Sequence, residues 1–458
     1  MGPGERPVDR LGERRGERLV SQLPTADDYL PGHGDRSWSA RSYELDLSYK
    51  VVGNRLAGEA RIDVEVLERT DRLVLDLAHL DVAKVTVGGK APAKFEKRRH
   101  RLVVRLREKA AVGARLALVV KYGGHPRPVV EKHHGDAGWE ELSDGVIVAG
   151  QPHGAPTWFP CNDRPDDKAT YRITVTTDVG YTVVSNGLLD ERRRRGSSES
   201  WTYVMDVPMA TYLATVQIGR YDIVEHDGPV PLFSAVPQGT GRHRTDAYDA
   251  GFGRQADMLR AFEGWFGPYP FGSYAAVVTG DDLEIPLESQ SLSTFGKNFV
   301  SEEWEQVRLV AHELAHQWFG NIVTLRHWRD IWLHEGFACY SEWLWSEESG
   351  RETAQWWAEH HHAKLADADQ DLALIDPGPE LMFDDRVYKR GALTLHALRT
   401  AVGDDAFFDL LRGWTSEHAG GSVTTEDFLA FAATRTGTDV ASLLRPWLAQ
   451  KKLPALPG

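Results

Sequence analysis

The sequence predicts an α+β multidomain protein in which an antiparallel β domain precedes a mainly helical domain that holds a metal site. Up to about Glu225, short segments alternate apolar and polar residues, the two-residue period of strands with one buried face. Beyond Asp227 the apolar residues take up the spacing of amphipathic helices. Inside that helical half lie His312-Glu313-Leu-Ala-His316 and, after eighteen intervening residues, Glu335.

Composition narrows the function classes. With 458 residues and 41% hydrophobic content, the chain can support two or three domains with substantial cores. The two cysteines, Cys161 and Cys339, make no disulfide framework and point to buried thiols in a reducing compartment. A balance of 53 basic against 67 acidic residues leaves a net charge of −14, which disfavours nucleic acid as a partner and suits positively charged amines. The first residues mix Arg with Glu and Asp and lack the apolar core of a signal peptide. No later run approaches the roughly 18 apolar residues that span a membrane. A soluble cytoplasmic protein, working as a monomer, is the expectation.

In chain order, residues 1–27 are Arg-, Glu- and Gly-rich without a steady period and are expected to form a flexible tail. The β domain is expected over 28–226, with strands such as Tyr43-Glu-Leu-Asp-Leu-Ser-Tyr, Ala60-Arg-Ile-Asp-Val-Glu-Val and Arg101-Leu-Val-Val-Arg-Leu. The basic run Arg192 to Arg195 reads as a solvated hairpin turn. The catalytic domain is expected over 227–458. Amphipathic helices are predicted over 243–266 and Ser301–Phe319, the latter with Glu302 and Glu303 in its first turn and Gly320-Asn321 as its stop. Val307, Val310, Ala311, Leu314 and Trp318 mark its buried side. More helices are predicted over 332–348, 353–369, 390–402, 404–417, 425–435 and 439–450, with Thr424 and Asp427 as a capping box.

On a helix, His312 and His316 at i and i+4 project from one face and can grip one metal ion, with Glu335 as a third ligand from the next helix. Three protein ligands with a fourth position open to water is the catalytic arrangement of zinc, and one Zn2+ per chain is predicted. Glu313, beside a ligand but not one itself, is the candidate general base. The histidine run 360–362 is read as a solvated helix face, since consecutive residues point about 100° apart, and His133-His134 as loop. His334 is read as either a partner of the metal ligands or an ordinary surface residue.

His312-Glu-Leu-Ala-His-Gln-Trp-Phe-Gly-Asn-Ile-Val-Thr324 with Trp332-Leu-His-Glu-Gly-Phe-Ala338 resembles the zinc aminopeptidase family of aminopeptidase N and leukotriene hydrolase, within the gluzincins. Trp158-Phe-Pro-Cys-Asn-Asp-Arg-Pro-Asp-Asp-Lys-Ala-Thr170, Met209 to Gly219 and Val387-Tyr388-Lys-Arg-Gly-Ala-Leu-Thr-Leu-His-Ala-Leu-Arg399 resemble further segments of the same family, so that the similarity covers nearly everything after about residue 38.

The resemblance implies a saddle-like β domain followed by a thermolysin-like catalytic domain, in a minimal form without the C-terminal module of larger relatives. It implies that Tyr388 donates to the oxyanion and that Glu288 binds the free α-ammonium of a peptide, although Ile285-Pro286-Leu287 stands where the family has Gly-Ala-Met and Ser289 where it has Asn. Asp281, Asp282 and Glu284 are rival carboxylates. Gln151 resembles the glutamine that helps hold the amine. The expected activity is removal of N-terminal residues from oligopeptides with a free amine. A zinc endopeptidase or epoxide hydrolase on the same site, and a noncatalytic scaffold, are the alternatives.

Overall fold

A computed structural model gives the fold and describes residues 23–240 and 245–457. The first 22 residues, most of the expected tail, lie outside the described residues. Residues 23–27 are not loose: Ala26 and Asp27 are buried, and the Asp27 carboxylate accepts from the Trp328 N–H at 2.9 Å.

The first half is built on a seven-stranded sheet. Its order is Leu188–Arg195, Ser198–Ala210, Lys168–Asp178, Trp38–Lys50, Arg55–Val66, Arg115–Gly124 and Asp81–Val87. Alternation fills one face: Tyr43, Leu45, Leu47 and Tyr49 are buried while the residues between them reach solvent. The pairing is antiparallel except between Trp38–Lys50 and Lys168–Asp178, which run parallel. A second sheet, with Gly145–Ala149 at its centre, covers this core.

Arg192 to Arg195 belong to the exposed edge strand rather than to a turn. Arg192 pairs with Glu199 at 2.6 Å and lies over the Trp201 ring, and charge along a free edge discourages strand addition.

Tyr221–His226, placed in the first domain by the sequence reading, pairs with Leu232–Pro237 in the sheet of the second half. That mixed sheet continues through Tyr274–Val278 and Leu292–Phe295 to the edge strand Leu287–Ser289. The helices are α1 (Asp246–Ala250), α2 (Gln255–Phe266), α3 (Trp304–Ala315), α4 (Trp332–Glu348), α5 (Ala354–Ala366), α6 (Asp385–Val402), α7 (Asp404–Glu417), α8 (Thr425–Thr436) and α9 (Val440–Ala449). The helix predicted over 243–266 is broken by a 3₁₀ turn at Phe252–Arg254 that follows Gly251. Helix α3 starts at Trp304, so that Glu303 falls before it, at the N-cap position without a side-chain capping bond, and Glu305 is the acidic residue of the first turn. The Thr424–Asp427 capping box is present at α8.

Helix α4 is buried on almost all sides, from Trp332 to Ser346, and runs through the core, as a helix without a wet face must. It meets α6 at a glycine pair. A Cβ on Gly336 would stand 2.7 Å from the Gly391 Cα, and one on Gly391 would stand 2.6 Å from the Gly336 Cα. The two backbones therefore touch directly, one residue after Glu335 and three after Tyr388.

Candidate metal centre

Helix α3 buries Val307, Val310, Ala311 and Leu314 against the core, which turns His312 and Glu313 toward the interface with α4. His316 lies just past the last helical residue, still in αR conformation. The chain then turns at Gly320, forms the short strand Thr324–Leu325, makes a 3₁₀ turn at Trp328–Asp330 and enters α4, whose first turn carries Glu335.

The three predicted ligands converge. Glu335 Oε2 stands 3.3 Å from His312 Nε2 and 3.4 Å from His316 Nε2. Ligand atoms about 2.0–2.1 Å from a tetrahedral ion stand roughly 3.4 Å apart, so the spacing fits zinc. Both Nδ1 atoms face away and are held, His312 by Glu342 Oε1 at 2.7 Å and His316 by the Phe319 carbonyl at 3.0 Å. An acceptor at Nδ1 keeps the proton there and leaves Nε2 with its lone pair. Glu342 is itself anchored by Arg308 Nη1 at 3.0 Å. Sequence reasoning missed Glu342, yet a signal existed: it follows Glu335 by seven residues, two helical turns along the same face.

Around this triad the other predicted residues assemble. Glu288, Glu313 and His316 bring ligand-type atoms within 4.8 Å of one another. Glu313 Oε2 is buried without a hydrogen-bond partner, an acceptor left for a water or substrate. Gln151 Nε2 donates to Glu288 Oε1. Gly150 makes this possible, because its backbone passes the Tyr212 carbonyl where a Cβ would stand 2.2 Å from the oxygen. Asn321 Nδ2 donates to the Glu288 carbonyl at 3.1 Å and fixes the edge strand. The Tyr388 ring, in the first turns of α6, stacks on His312 with centroids 6.0 Å apart. Among the rivals, Asp282 and Glu284 are exposed, and Asp281 takes the Ser143 hydroxyl at 2.5 Å.

The charges are strongly interdependent. Burial works to raise the Glu335 carboxyl, but His316 and His312 outweigh it and hold it at about 2. Burial pushes Glu313 up to about 8 against the pull of His312 and His316. Glu288 is also raised by burial, with His316 opposing. Burial, then the carboxylates Glu335, Glu288 and Glu313, keeps the Tyr388 phenol protonated far into the alkaline range. His334 is buried, its Nε2 accepts from the Leu325 N–H at 2.9 Å, and burial lowers it to about 3; it is a structural acceptor in the turn before α4. Of the histidine run, all three residues are half-buried: His361 stacks between Trp343 and Trp357 and His362 reaches the Pro454 carbonyl, so this face is partly packed as well as partly solvated. His133 and His134 lie in a turn, and both cysteines are buried and free.

Two helices presenting two histidines and a glutamate, backed by a carboxylate on one ring, define a gluzincin-type metal centre. Residues 39–213 match the Peptidase M1 N-terminal domain and residues 251–447 the Peptidase family M1 domain. An M1 zinc metallopeptidase from Deinococcus radiodurans, solved as a mutant bound to Tyr-Ser-Ala substrate, is similar at 30% identity and a TM-score of 0.86, over 94% of this chain and 99% of that one. The chain belongs to the M1 peptidase family. Its curated relatives include Aminopeptidase M1 of Arabidopsis thaliana, 25% identical over 91% of this chain and 50% of that protein, and Leucyl aminopeptidase of Saccharolobus solfataricus, 25% identical over 90% and 53%. The chain thus spans about half the length of the curated relatives it matches.

Proposed function

We propose that the chain is a zinc-dependent aminopeptidase, with one zinc per chain, that hydrolyses the N-terminal peptide bond of oligopeptides. His312, His316 and Glu335 would hold the ion. Bound zinc supplies a Lewis acid that polarises the scissile carbonyl and brings the pKa of water toward about 7. Glu313 takes the proton from the attacking water and passes it to the leaving amine nitrogen. Tyr388 donates its phenolic hydrogen to the oxyanion without adding charge. Glu288, steadied by Gln151, receives the α-ammonium of the substrate through charge-assisted hydrogen bonds.

The observation that carries the exopeptidase reading is the buried Glu288 carboxylate set beside Glu313 and His316. A second buried acid so close to the ligands repels its neighbours unless a cation joins it, and a substrate ammonium is that cation. The name of the Saccharolobus relative and the peptide bound to the Deinococcus structure agree with this reading. Among the described residues no helix is long and apolar enough to cross a membrane. We place the protein in the cytoplasm as a monomer, which sedimentation of the purified chain would test.

The deciding experiment compares an aminoacyl-anilide with its N-acetylated twin. The free-amine substrate should be favoured by about a thousandfold or more in kcat/KM, since a site built for a polar group rejects the analogue lacking it. Equal cleavage would mean that Glu288 does not recognise the free amine.

A further inference from the structure

The strand that carries Glu288 is short, Leu287–Ser289, and lies at the edge of its sheet, paired only with Leu292–Phe295. So short an edge strand has few ladder bonds of its own to hold it. The two-residue turn that follows, Gln290-Ser291, also places Ser291 at φ 61°, where a side chain is disfavoured. Contacts from outside the sheet must therefore keep the Glu288 carboxylate in place beside the metal ligands.

Those contacts come from the turn just past the metal-binding helix. Gln317, the residue after His316, is fully buried, and both ends of its amide are engaged. Its Oε1 accepts from the Ser291 N–H at 2.7 Å, while its Nε2 donates to the carbonyls of Ser289 and Glu313, each at 3.3 Å. One amide thus ties the turn after Glu288 to the backbone of Glu313. Asn321, equally buried, donates from Nδ2 to the carbonyls of Glu288 at 3.1 Å and Ser289 at 3.3 Å. Its own N–H donates to the His316 carbonyl at 3.0 Å, so this second tie also runs to a metal ligand.

We propose that Gln317 and Asn321 are positioning residues that fix the separation between Glu288 and the metal centre, and that this separation selects an α-ammonium over one placed further from the scissile carbonyl. In an N-terminal α-amino acid the amine nitrogen lies about 2.5 Å from the carbonyl carbon, and that span is rigid. A carboxylate that receives the ammonium while Glu313 acts at the carbonyl has to match it, because a misplacement of about 1 Å costs about a hundredfold in rate. Neutral amides supply the necessary bonds without adding a charge beside the ligands. This role presupposes that Glu288 receives the ammonium, as proposed above.

The test sets alanyl-anilide against β-alanyl-anilide, whose amine is one methylene further out, on the zinc-loaded enzyme. The native protein should favour the α-amino substrate by at least about a hundredfold in kcat/KM. In Gln317→Ala that ratio should fall at least about tenfold, with zinc stoichiometry retained. A merely structural loss lowers both substrates alike and leaves the ratio where it was. Asn321→Ala, which frees the Glu288 carbonyl by a separate route, should lower the ratio as well, and it reads the role if Gln317→Ala does not fold. Glu288→Ala separates this role from amine recognition itself, since it should abolish the preference for a free-amine over an N-acetylated substrate. If it does, and the α-to-β ratio is small in the native enzyme or unchanged in the folded amide variants, the positioning role is overturned while amine recognition by Glu288 stands. Loss of zinc from both amide variants would make them supports of the ligands and overturn it too. If the free-amine preference survives Glu288→Ala, amine recognition by Glu288 falls and the positioning role falls with it.

Discussion

His312 is held from both ends, its Nε2 aimed at Glu335 and its Nδ1 tied to Glu342, which Arg308 anchors in turn. Removing the charge behind the ring should loosen the metal. Glu342→Gln is expected to lower zinc affinity about 10–100-fold, read by competition with a chelator. Glu313 differs, because it is not a ligand: Glu313→Gln should cost about 10²–10⁴ in kcat with zinc stoichiometry retained in metal analysis. Loss of metal together with activity would make Glu313 structural. Tyr388→Phe removes one hydrogen bond made late in the reaction and should cost about 10²–10³ in kcat with little change in KM. The ligands and Glu313 were legible in the sequence because helical spacing carries geometry. Tyr388, Glu288 and Gln151 were not legible in that way, since strand, loop and helix bring Gln151 to Glu288 across 137 residues and Tyr388 to the same site from a separate helix, and only family resemblance pointed to them.

Among the elements, α4 and α6 make the crossing on which the site depends. Gly336→Ala puts a methyl into the Gly391 backbone, which neither helix can rotate away. Overpacking of this kind costs about 1–3 kcal/mol, and the shift also moves Glu335 relative to Tyr388. A lower Tm together with reduced kcat is expected, and a Tm change alone would show that the ligands ride independently of the crossing. Sequence reading placed α4 within its observed bounds because it is apolar and uninterrupted. It started α6 five residues late, at 390, because the charged Asp385-Arg386 opening hides a start that the Asp384 side chain caps through the Arg386 N–H. The parallel pairing of Trp38–Lys50 with Lys168–Asp178 was invisible as well: a two-residue period reports which face is buried and says nothing of direction.

Over the whole molecule, the two halves are joined at buried polar points. Lys168, the first residue of its strand, donates to the carbonyls of Asn321 and Ile322 and to Thr324 Oγ1, each at 2.9 Å, in the turn that follows His316. Burial pulls its pKa down to about 7. The unfolded chain, with an ordinary lysine, holds one more proton between that value and about 10.4. Stability from this group therefore rises with pH between about 7 and about 10.4 and is lost as pH falls across that window toward about 7, by up to about 1.4 kcal/mol per pH unit. Denaturant titrations at pH 7 and 9 should show that increment in the native protein and not in Lys168→Met.

The other joint begins the described chain. Asp27 caps the turn that leads into α4, and the Tyr29 hydroxyl accepts from the Gly378 N–H at 2.8 Å near the start of α6. The Asp27 contact closes a loop of 301 residues, so the turn into the helix bearing the third ligand gains this bond only once residues at the start of the described chain have found a partner synthesised much later. Contacts of such long separation form late in folding. Tight zinc uptake should then lag the recovery of helical circular dichroism during refolding, which makes the ion a reporter of the finished molecule rather than of its catalytic half alone.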